Sequence, residues 1–208
     1  MSADARTIAV YDAKAPDYDD RFRTVKPDRH LRAFVEALPQ GAHVLDLGCG
    51  PANASAFLRA AGMVPDPVDA SPAMVALANQ RHGVGARLGT FDDIDAVGAY
   101  DGVWANFSLL HAARADLPRH LAALHRALKA GGLFHIGMKT GTGEARDALD
   151  RFYTYVGREE LLGLLEAAGF TVIFEAEGTE VGLAGTSDPF LILRARACAA
   201  VDRAGSGT

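Results

Sequence analysis

The stretch Val44-Leu45-Asp46-Leu47-Gly48-Cys49-Gly50-Pro51-Ala52-Asn53 decides the fold of this chain. Its first half predicts a short buried strand over 43–47, two glycines follow at a spacing of two, and a helical pattern begins near Pro51. Glycine has no Cβ, so a ligand can approach the backbone of such a turn. The helix that follows adds unpaired N–H groups and a partial positive charge. The stretch therefore predicts a site for a polar small molecule.

The composition is that of one ordinary globular domain. The chain has 208 residues, of which 49% are hydrophobic and 23% are charged. These values are typical of a soluble protein, and the length leaves little room for two domains. The formal net charge of -5 gives no basic footprint for nucleic acid. We expect no nucleic-acid partner, and a monomer or a homodimer.

The two cysteines, Cys49 and Cys198, fit neither a paired-cysteine metal spacing nor a disulfide framework. We therefore expect no metal site and a reducing compartment. The first residues lack the apolar run of a signal peptide. No stretch approaches the roughly 20 apolar residues that a membrane span requires. Together these features predict a cytoplasmic protein without a membrane partner.

From residue 41 the chain alternates predicted strands and helices. This alternation predicts an α/β fold, a doubly wound and mostly parallel sheet with helices on both faces and an antiparallel hairpin at one edge. Pro65 and Pro67 weaken the second strand, because each removes a ladder donor. Ahead of the sheet, Pro16 predicts an interruption of the helical pattern over 7–22. The predicted strands are 43–47, 63–68, 84–88, 100–105, 133–138, 170–175 and 190–196.

Ligands of an open parallel sheet bind beyond the carboxyl ends of its strands. The residues that follow the first four predicted strands are Gly48 and Gly50, then Asp69, then Phe91 and Asp92, then Asn106. Asp69 follows Gly50 by 19 residues. An acidic residue at that distance can accept hydrogen bonds from both hydroxyls of a ribose. The pattern thus favours a cofactor that contains a nucleoside.

Two kinds of cofactor compete for this arrangement. A dinucleotide site prefers a third glycine, where this chain has Asn53, and its pyrophosphate would be repelled by Asp46 beside the turn. S-adenosylmethionine carries an ammonium, a sulfonium and a ribose, and it has no phosphate. The charge of Asp46 therefore favours S-adenosylmethionine, and a nicotinamide dinucleotide is the weaker alternative.

At these residues the sequence resembles the class I S-adenosylmethionine-dependent methyltransferases, whose fold is Rossmann-like with seven strands. The resemblance covers roughly residues 30–197, and Trp104–His111 with Arg146–Tyr155 is further similar to small bacterial methyltransferases of the tellurite-resistance-like group. The stretches that carry it are Val44–Gly50, Val68–Met74, Tyr100–Ala105, Leu128–Leu133 and Leu165–Phe170.

The resemblance implies a role for each matching residue. Asp46, Gly48 and Gly50 would shape the pocket for the methionyl end, and Asp69 would bind the ribose. Asn106 would lie near the reacting methyl group. The whole implied cofactor-binding set is Asp46, Gly48, Cys49, Gly50, Asp69, Ala70, Met74, Phe91, Asp92 and Asn106, with Met74, Phe91 and Asp92 around the adenine. It also implies one domain over 1–198, with a helical segment (1–40) over the active site, a core (41–198) and a flexible tail (199–208).

Two residues are candidates for catalysis. His111 lies beyond the fourth strand, where an imidazole could take a proton from a nucleophile, although a structural hydrogen bond is an equally good reading. Tyr18 could lie over the cofactor, as an N-terminal tyrosine does in related enzymes. No Pro-Pro-aromatic sequence follows Asn106, which disfavours nucleobase amines as acceptors. We expect methyl transfer to a small-molecule nucleophile by direct displacement; the alternatives are a non-catalytic S-adenosylmethionine-binding protein and an NAD-dependent oxidoreductase.

Overall fold

The computed structural model describes residues 4–22 and 27–198. No helix within those ranges is long and apolar enough to cross a membrane. The predicted tail at 199–208 lies outside the described residues, as does the side chain of Tyr18. The helices are α1 (Ala5–Phe22), α2 (Arg29–Glu36), α3 (Asn53–Ala60), α4 (Pro72–His82), α5 (Leu117–Ala127) and α6 (Arg158–Ala167). The strands are β1 (His43–Leu47), β2 (Val64–Asp69), β3 (Arg87–Leu88), β4 (Tyr100–Asn106), β5 (Leu128–Lys139), β6 (Glu144–Arg146), β7 (Phe152–Thr154), β8 (Phe170–Val181) and β9 (Ser187–Ala197).

Seven strands form one sheet in the order β3-β2-β1-β4-β5-β9-β8. Strands β1 to β5 are parallel wherever they pair, and β9 runs antiparallel to both β5 and β8. The strand order reverses between β1 and β4, which places the topological switch point beside the glycine turn. The predicted α/β fold, doubly wound and mostly parallel with an antiparallel edge hairpin, is confirmed.

Two apolar cores lie on opposite faces of the sheet. Val44 and Trp104 pack on one face with Phe34 of α2 and Leu58 of α3. The neighbouring residues of the same strands, such as Leu45, point to the other face, where α5 and α6 cover them. Successive side chains of a strand alternate between faces, so strands that are apolar on both faces need helices on both sides. The sheet is therefore sandwiched as predicted.

The prolines of β2 are accommodated by its position next to the sheet edge. Val64 donates its N–H to Ala42 on the β1 side, so by alternation the ring nitrogens of Pro65 and Pro67 lie on the opposite side. On that side β3 is only two residues long, and it pairs with Val68 and Asp69 alone. The missing donors therefore cost no ladder hydrogen bond, and β3 is short where the prolines offer none.

The interruption predicted at Pro16 is wrong, because α1 runs without a break from Ala5 to Phe22. A proline removes one helical hydrogen bond, and contacts with the rest of the protein offset that loss. Asp12 of α1 accepts hydrogen bonds from Ser71 Oγ at 2.5 Å and from the Ala73 amide at 3.1 Å. Thr7 Oγ1 also accepts the Phe152 amide at 2.8 Å. Long-range polar contacts thus hold α1 in place.

Three further differences concern the second half of the chain. The polar stretch after β5 contains an unpredicted hairpin, in which β6 pairs with β7. Strand β5 begins at Leu128, five residues earlier than expected, because α5 already ends at Ala127. Strands β8 and β9 reach 12 and 11 residues and form one long hairpin. Their extensions carry polar and exposed residues, so no apolar pattern marks them in the sequence.

Candidate active site

A cavity of about 500 Å³ opens at the switch point, above the carboxyl ends of β1, β2 and β4. This volume is in the range of pockets that hold drug-sized ligands. The β1–α3 turn forms one side, α1 forms another, and the ends of β5 and β9 continue the wall. Of the predicted site residues, the cavity brings together Asp46, Gly48, Cys49, Gly50, Asp69, Ala70, Met74, Phe91, Asn106 and His111.

The glycine turn is fixed by its neighbours. Gly48 and Cys49 both donate their N–H groups to the Val68 carbonyl, at 2.8 and 3.0 Å. Gly48 has a φ of +72°, which L side chains rarely adopt. A Cβ on Gly48 would lie 2.3 Å from the Cβ of Ser108. The turn therefore needs glycine at this position for both its conformation and the close approach of the loop after β4.

Asp69 lies at the end of β2 with both carboxylate oxygens engaged by backbone amides. Gly50 donates to Oδ2 and Ser71 donates to Oδ1, each at 2.8 Å. Burial raises the pKa of this carboxyl, and the amide hydrogen bonds oppose that shift. Each carboxylate oxygen has two lone pairs, so each can still accept a hydrogen bond from a ligand in the cavity.

Asp46 is more deeply buried, with 2% of its surface exposed. Ser55 Oγ donates a hydrogen bond to Asp46 Oδ2 at 2.6 Å. Burial raises the pKa of Asp46 to about 7, against the effect of that hydrogen bond. The same burial, with Asp46 and Asp69 nearby, raises the pKa of the Cys49 thiol well above its usual value. Cys49 is therefore a packing residue without thiolate character.

Phe91 and Asp92, two of the residues expected at the adenine, point to different sides of the loop after β3. Phe91 lines the cavity and packs edge-on against His120, with ring centroids 5.5 Å apart. Asp92 instead forms an ion pair with Arg119 and is not among the described residues that line the cavity. Asp93, its neighbour, caps the same loop by accepting from the Thr90 amide at 2.7 Å. The structure therefore places Asp92 on the outer side of this loop.

Asn106 is oriented by a residue that the sequence analysis missed. His135 Nε2 lies 3.0 Å from Asn106 Oδ1, and an amide oxygen only accepts, so His135 donates there. Burial lowers the pKa of His135 well below its usual value, so the ring is neutral. The next residue, Phe107, has a φ of 58°, a strained conformation of the kind found at functional sites. A histidine inside the apolar stretch Leu133–Met138 was the available signal.

His111 is engaged through both ring nitrogens. Nδ1 lies 2.6 Å from the Phe152 carbonyl, so it carries the proton, and Nε2 accepts from the Tyr11 hydroxyl at 2.8 Å. Burial lowers the pKa of His111 to about 4. Arg151 Nη1 donates to the Tyr11 oxygen at 3.1 Å. Tyr11 of α1 thus lines the cavity, while the side chain of Tyr18 lies outside the described residues.

Four polar residues of the site came from elements whose approach the sequence did not reveal. They are Asp12, Ser108, Lys139 and Arg151, of which Asp12 ties α1 to the start of α4 and the others line the cavity. Asp147 precedes Arg151 by four residues, and this spacing of opposite charges was the signal available in the sequence. In the structure the two side chains form a buried ion pair. Only the fold brings α1 and the β6–β7 hairpin together.

The residues present fit S-adenosylmethionine. Ser108 Oγ is buried in the cavity wall beside Gly48 and has no hydrogen-bond partner. An orphaned hydroxyl of this kind indicates a polar ligand group. Asp69 has free lone pairs for the hydroxyls of a ribose, and Asp46 is an acidic side chain that suits the ammonium of the cofactor. The arrangement offers no basic side chain near the turn for a pyrophosphate, since the cavity-lining cations among the described residues are Lys139 and Arg151 on the other side.

Comparison with known proteins agrees with this geometry. Residues 44–132 match the family described as the methyltransferase domain. This match agrees with the resemblance of the sequence motifs to the class I S-adenosylmethionine-dependent methyltransferases, whose cofactor is S-adenosylmethionine. A curated relative, trans-aconitate 2-methyltransferase of Delftia acidovorans, is 35% identical over 149 residues. The match covers 64% of this chain and 53% of that protein, so the chain spans about half the length of that relative.

Two solved structures share the fold. The 1,6-didemethyltoxoflavin-N1-methyltransferase of Burkholderia thailandensis superimposes with a TM-score of 0.72 at 24% identity, over 94% of this chain and 88% of that one. A TehB-like methyltransferase of Corynebacterium glutamicum gives a TM-score of 0.67 at 22% identity, over 88% and 97% of the two chains. At these identities the two likenesses show a shared fold.

Proposed function

We propose that this protein transfers the methyl group of S-adenosylmethionine to a small-molecule nucleophile by direct displacement. The observation that carries the proposal is one continuous cavity, which joins the glycine turn and Asp69 to the aromatic surroundings of His111. Displacement needs the reacting atoms aligned and about 3–3.5 Å apart, so donor and acceptor must share one cavity. The chain provides that arrangement.

The donor half is assigned residue by residue. Asp69 accepts hydrogen bonds from the ribose hydroxyls, with the lone pairs that Gly50 and Ser71 leave. Asp46 stabilises the ammonium of the methionyl end, and Asn106 lies between the two halves of the cavity. Met74, Ala70 and Phe91 surround the adenine, and Asp92 is left out because it pairs with Arg119 away from the cavity.

When bound, S-adenosylmethionine supplies a methyl group on a sulfonium, which is an excellent leaving group. The lone pair of the nucleophile forms the new bond to the methyl carbon, and the C–S electron pair stays on sulfur. A proton lost by the nucleophile passes to the solvent. The main contribution of the protein is therefore alignment of the two reactants and exclusion of water.

The role of His111 is narrower than a free imidazole would allow. Its Nε2 already accepts the Tyr11 hydroxyl, so a proton from the cavity would have to travel through the Tyr11 oxygen. With a pKa of about 4 the ring is also a weak base at neutral pH. We assign His111 to positioning Tyr11, and the chemistry needs no stronger base in this chain.

Calorimetry followed by a transfer assay tests the proposal. The protein is titrated with S-adenosylmethionine, S-adenosylhomocysteine and NAD, and we expect binding of the first two alone. Tight binding of NAD alone would overturn the proposal. A panel of small acceptors with methyl-labelled cofactor then separates the enzyme from a binding protein, because only the enzyme yields labelled product.

A further inference from the structure

The half of the cavity beyond Asn106 is lined by aromatic rings, and we call it the acceptor chamber. It is defined by Tyr11, Phe107, His111, Tyr153 and Phe190. The ring centroids of Tyr11 and His111 are 5.5 Å apart, those of His111 and Tyr153 are 4.7 Å apart, and those of Phe107 and Phe190 are 5.5 Å apart. The interplanar angles are 74°, 57° and 82°, so the rings meet edge-on or tilted and offer ring faces and edges to a ligand.

The two cations of the cavity are already matched by carboxylates of the protein. Lys139 Nζ lies 2.6 Å from Asp188 Oδ2, and this lysine also lies over the Tyr153 ring at 4.2 Å from its centroid. Arg151 is 3% exposed. Its Nε and Nη2 donate to Asp147 Oδ2 at 3.0 and 2.6 Å, and Nη1 donates to Tyr11. Neither cation is held in reserve for an anionic ligand.

The remaining titratable groups add no positive charge. Burial lowers the pKa of His111 and of His30, so both rings are neutral at physiological pH. The described residues that line the cavity include six acids against two cations. A ligand with several carboxylates would enter a cavity whose lining holds more acids than cations, and adding negative charge there is unfavourable in a partly desolvated site.

We infer that the methyl acceptor is a flat, uncharged aromatic or heteroaromatic molecule that carries its nucleophilic atom on the ring edge, and that polycarboxylates are excluded. This inference rests on the proposed function and names the substrate class of the same cavity. The aromatic chamber binds the ring by area and stacking. The Lys139–Asp188 pair offers one donor and one acceptor to polar groups of the ring without adding net charge.

The test measures binding as well as turnover. 7-Hydroxyquinoline and quinazolin-4-one represent the inferred class, and trans-aconitate and citrate represent polycarboxylates. Each is titrated calorimetrically into the protein with and without S-adenosylhomocysteine. We expect the aromatic probes to bind at least tenfold more tightly, about 1.4 kcal/mol. Equal or tighter binding of the tricarboxylates overturns the inference, and so does the absence of any aromatic binding up to about 1 mM.

This outcome is separate from the fate of the proposed function. If S-adenosylhomocysteine binds and a tricarboxylate is methylated, the methyltransferase proposal stands and the acceptor inference falls. If S-adenosylhomocysteine does not bind, the proposed function fails, while the titration without it still measures the preference of the chamber.

Charge variants sharpen the test. Asp188→Asn frees Lys139, and we expect trans-aconitate to bind about tenfold more tightly than it binds the natural protein. The matched control is Glu175→Gln, because Glu175 lies on the same hairpin outside the cavity and forms an ion pair with Arg158 of α6. It should leave both classes unchanged. An unchanged affinity for trans-aconitate in Asp188→Asn overturns the role given to the matched charges.

A ring variant tests the apolar side of the inference. Phe190→Leu keeps apolar volume and removes a ring of the chamber, and we expect a fall of at least threefold in the affinity for the aromatic probes. Phe174→Leu, on the neighbouring strand and outside the cavity, is the control. Equal effects of the two variants overturn the assignment of the chamber.

Discussion

Gly50 donates its backbone N–H to Asp69 Oδ2 across 2.8 Å, which joins the turn after β1 to the end of β2 at the floor of the cavity. Because Ser71 holds the other oxygen at the same distance, the carboxylate has one orientation and presents its remaining lone pairs to the cavity. A ligand hydroxyl can therefore bind this carboxylate with little loss of side-chain entropy. The two strands thus share one binding group.

Asp69→Ala is expected to weaken S-adenosylhomocysteine by about 2 kcal/mol, roughly 30-fold, because hydrogen bonds to a charged group are lost. Asp66→Ala is the matched control, since Asp66 lies on the same strand and pairs with Arg87 away from the cavity. Calorimetry on both variants makes the comparison. An Asp69→Ala protein that binds with unchanged affinity would remove the ribose assignment.

The sequence predicted many of the residues that line the cavity at the carboxyl ends of the parallel strands. Gly48 follows β1, and Asp69 and Asn106 are the last residues of β2 and β4. The carboxyl ends of parallel strands meet at one edge of the sheet however the helices pack. Ser71 is a preferred N-cap residue and Pro72 suits the first helical position, and in the structure Ser71 Oγ accepts the Met74 amide at 3.1 Å at the start of α4. These features depend on local sequence and on a topology that few alternatives satisfy.

The acceptor half could not be predicted in the same way. Tyr11 meets His111 across 100 residues of sequence, and Arg146 binds Asp4 across 142. Such contacts depend on where α1 packs against the rest of the protein. The hydrophobic periodicity of the sequence does not predict that packing. None of the described side chains of α1 belongs to the three clusters of buried apolar residues, although Ala15 is buried. Local secondary-structure propensity therefore does not predict the long-range polar contacts of this fold.

The affinity for S-adenosylhomocysteine should rise with pH between 6 and 8. Asp46 has a pKa of about 7 because it is buried, and the ligand ammonium favours the ionised form. The ionised fraction grows about tenfold over this interval, so the affinity should grow by at most about the same factor, with release of a proton on binding. Adenosine lacks the ammonium and is the control ligand, and Asp46→Asn should abolish the trend. Equal pH trends for both ligands would contradict the assignment.

Asp46 should also make the ligand-free protein less stable as pH rises. The pKa of Asp46 is about 7 in the folded state, against its ordinary value of 3.8, which applies to the unfolded chain. Between these two pH values the folded chain keeps a proton that the unfolded chain has lost. The free energy of unfolding then falls by up to about 1.4 kcal/mol per pH unit. Urea unfolding at pH 5, 6 and 7 should show this slope as the difference between the natural protein and Asp46→Asn. Parallel curves would show that Asp46 titrates normally.

Gly48→Ala should destabilise the fold and not merely the site. The new Cβ would meet Ser108 Cβ at 2.3 Å with φ at +72°, whereas Gly131, at φ +74°, has open space around it. Both substitutions carry the conformational cost, of order 1–2 kcal/mol, and only Gly48→Ala adds the clash. We expect a larger fall in the free energy of unfolding for Gly48→Ala, with partial recovery in Gly48→Ala/Ser108→Gly. Similar losses of unfolding free energy for Gly48→Ala and Gly131→Ala would mean that the loop after β4 moves to accommodate the new Cβ.

The Tyr11–His111 hydrogen bond separates a positioning role from acid–base catalysis. If His111 only holds Tyr11, Tyr11→Phe and His111→Gln disturb the same contact, and a double-mutant cycle on the free energy of unfolding should give a coupling of about 1 kcal/mol. The variants should lower kcat/KM without changing its pH profile, because a group with a pKa of about 4 does not titrate near neutrality. A base at His111 would instead produce an activity limb in the natural protein that vanishes in His111→Gln. Additive effects on stability together with a lost limb would make His111 the base and give Tyr11 the role of passing it the proton.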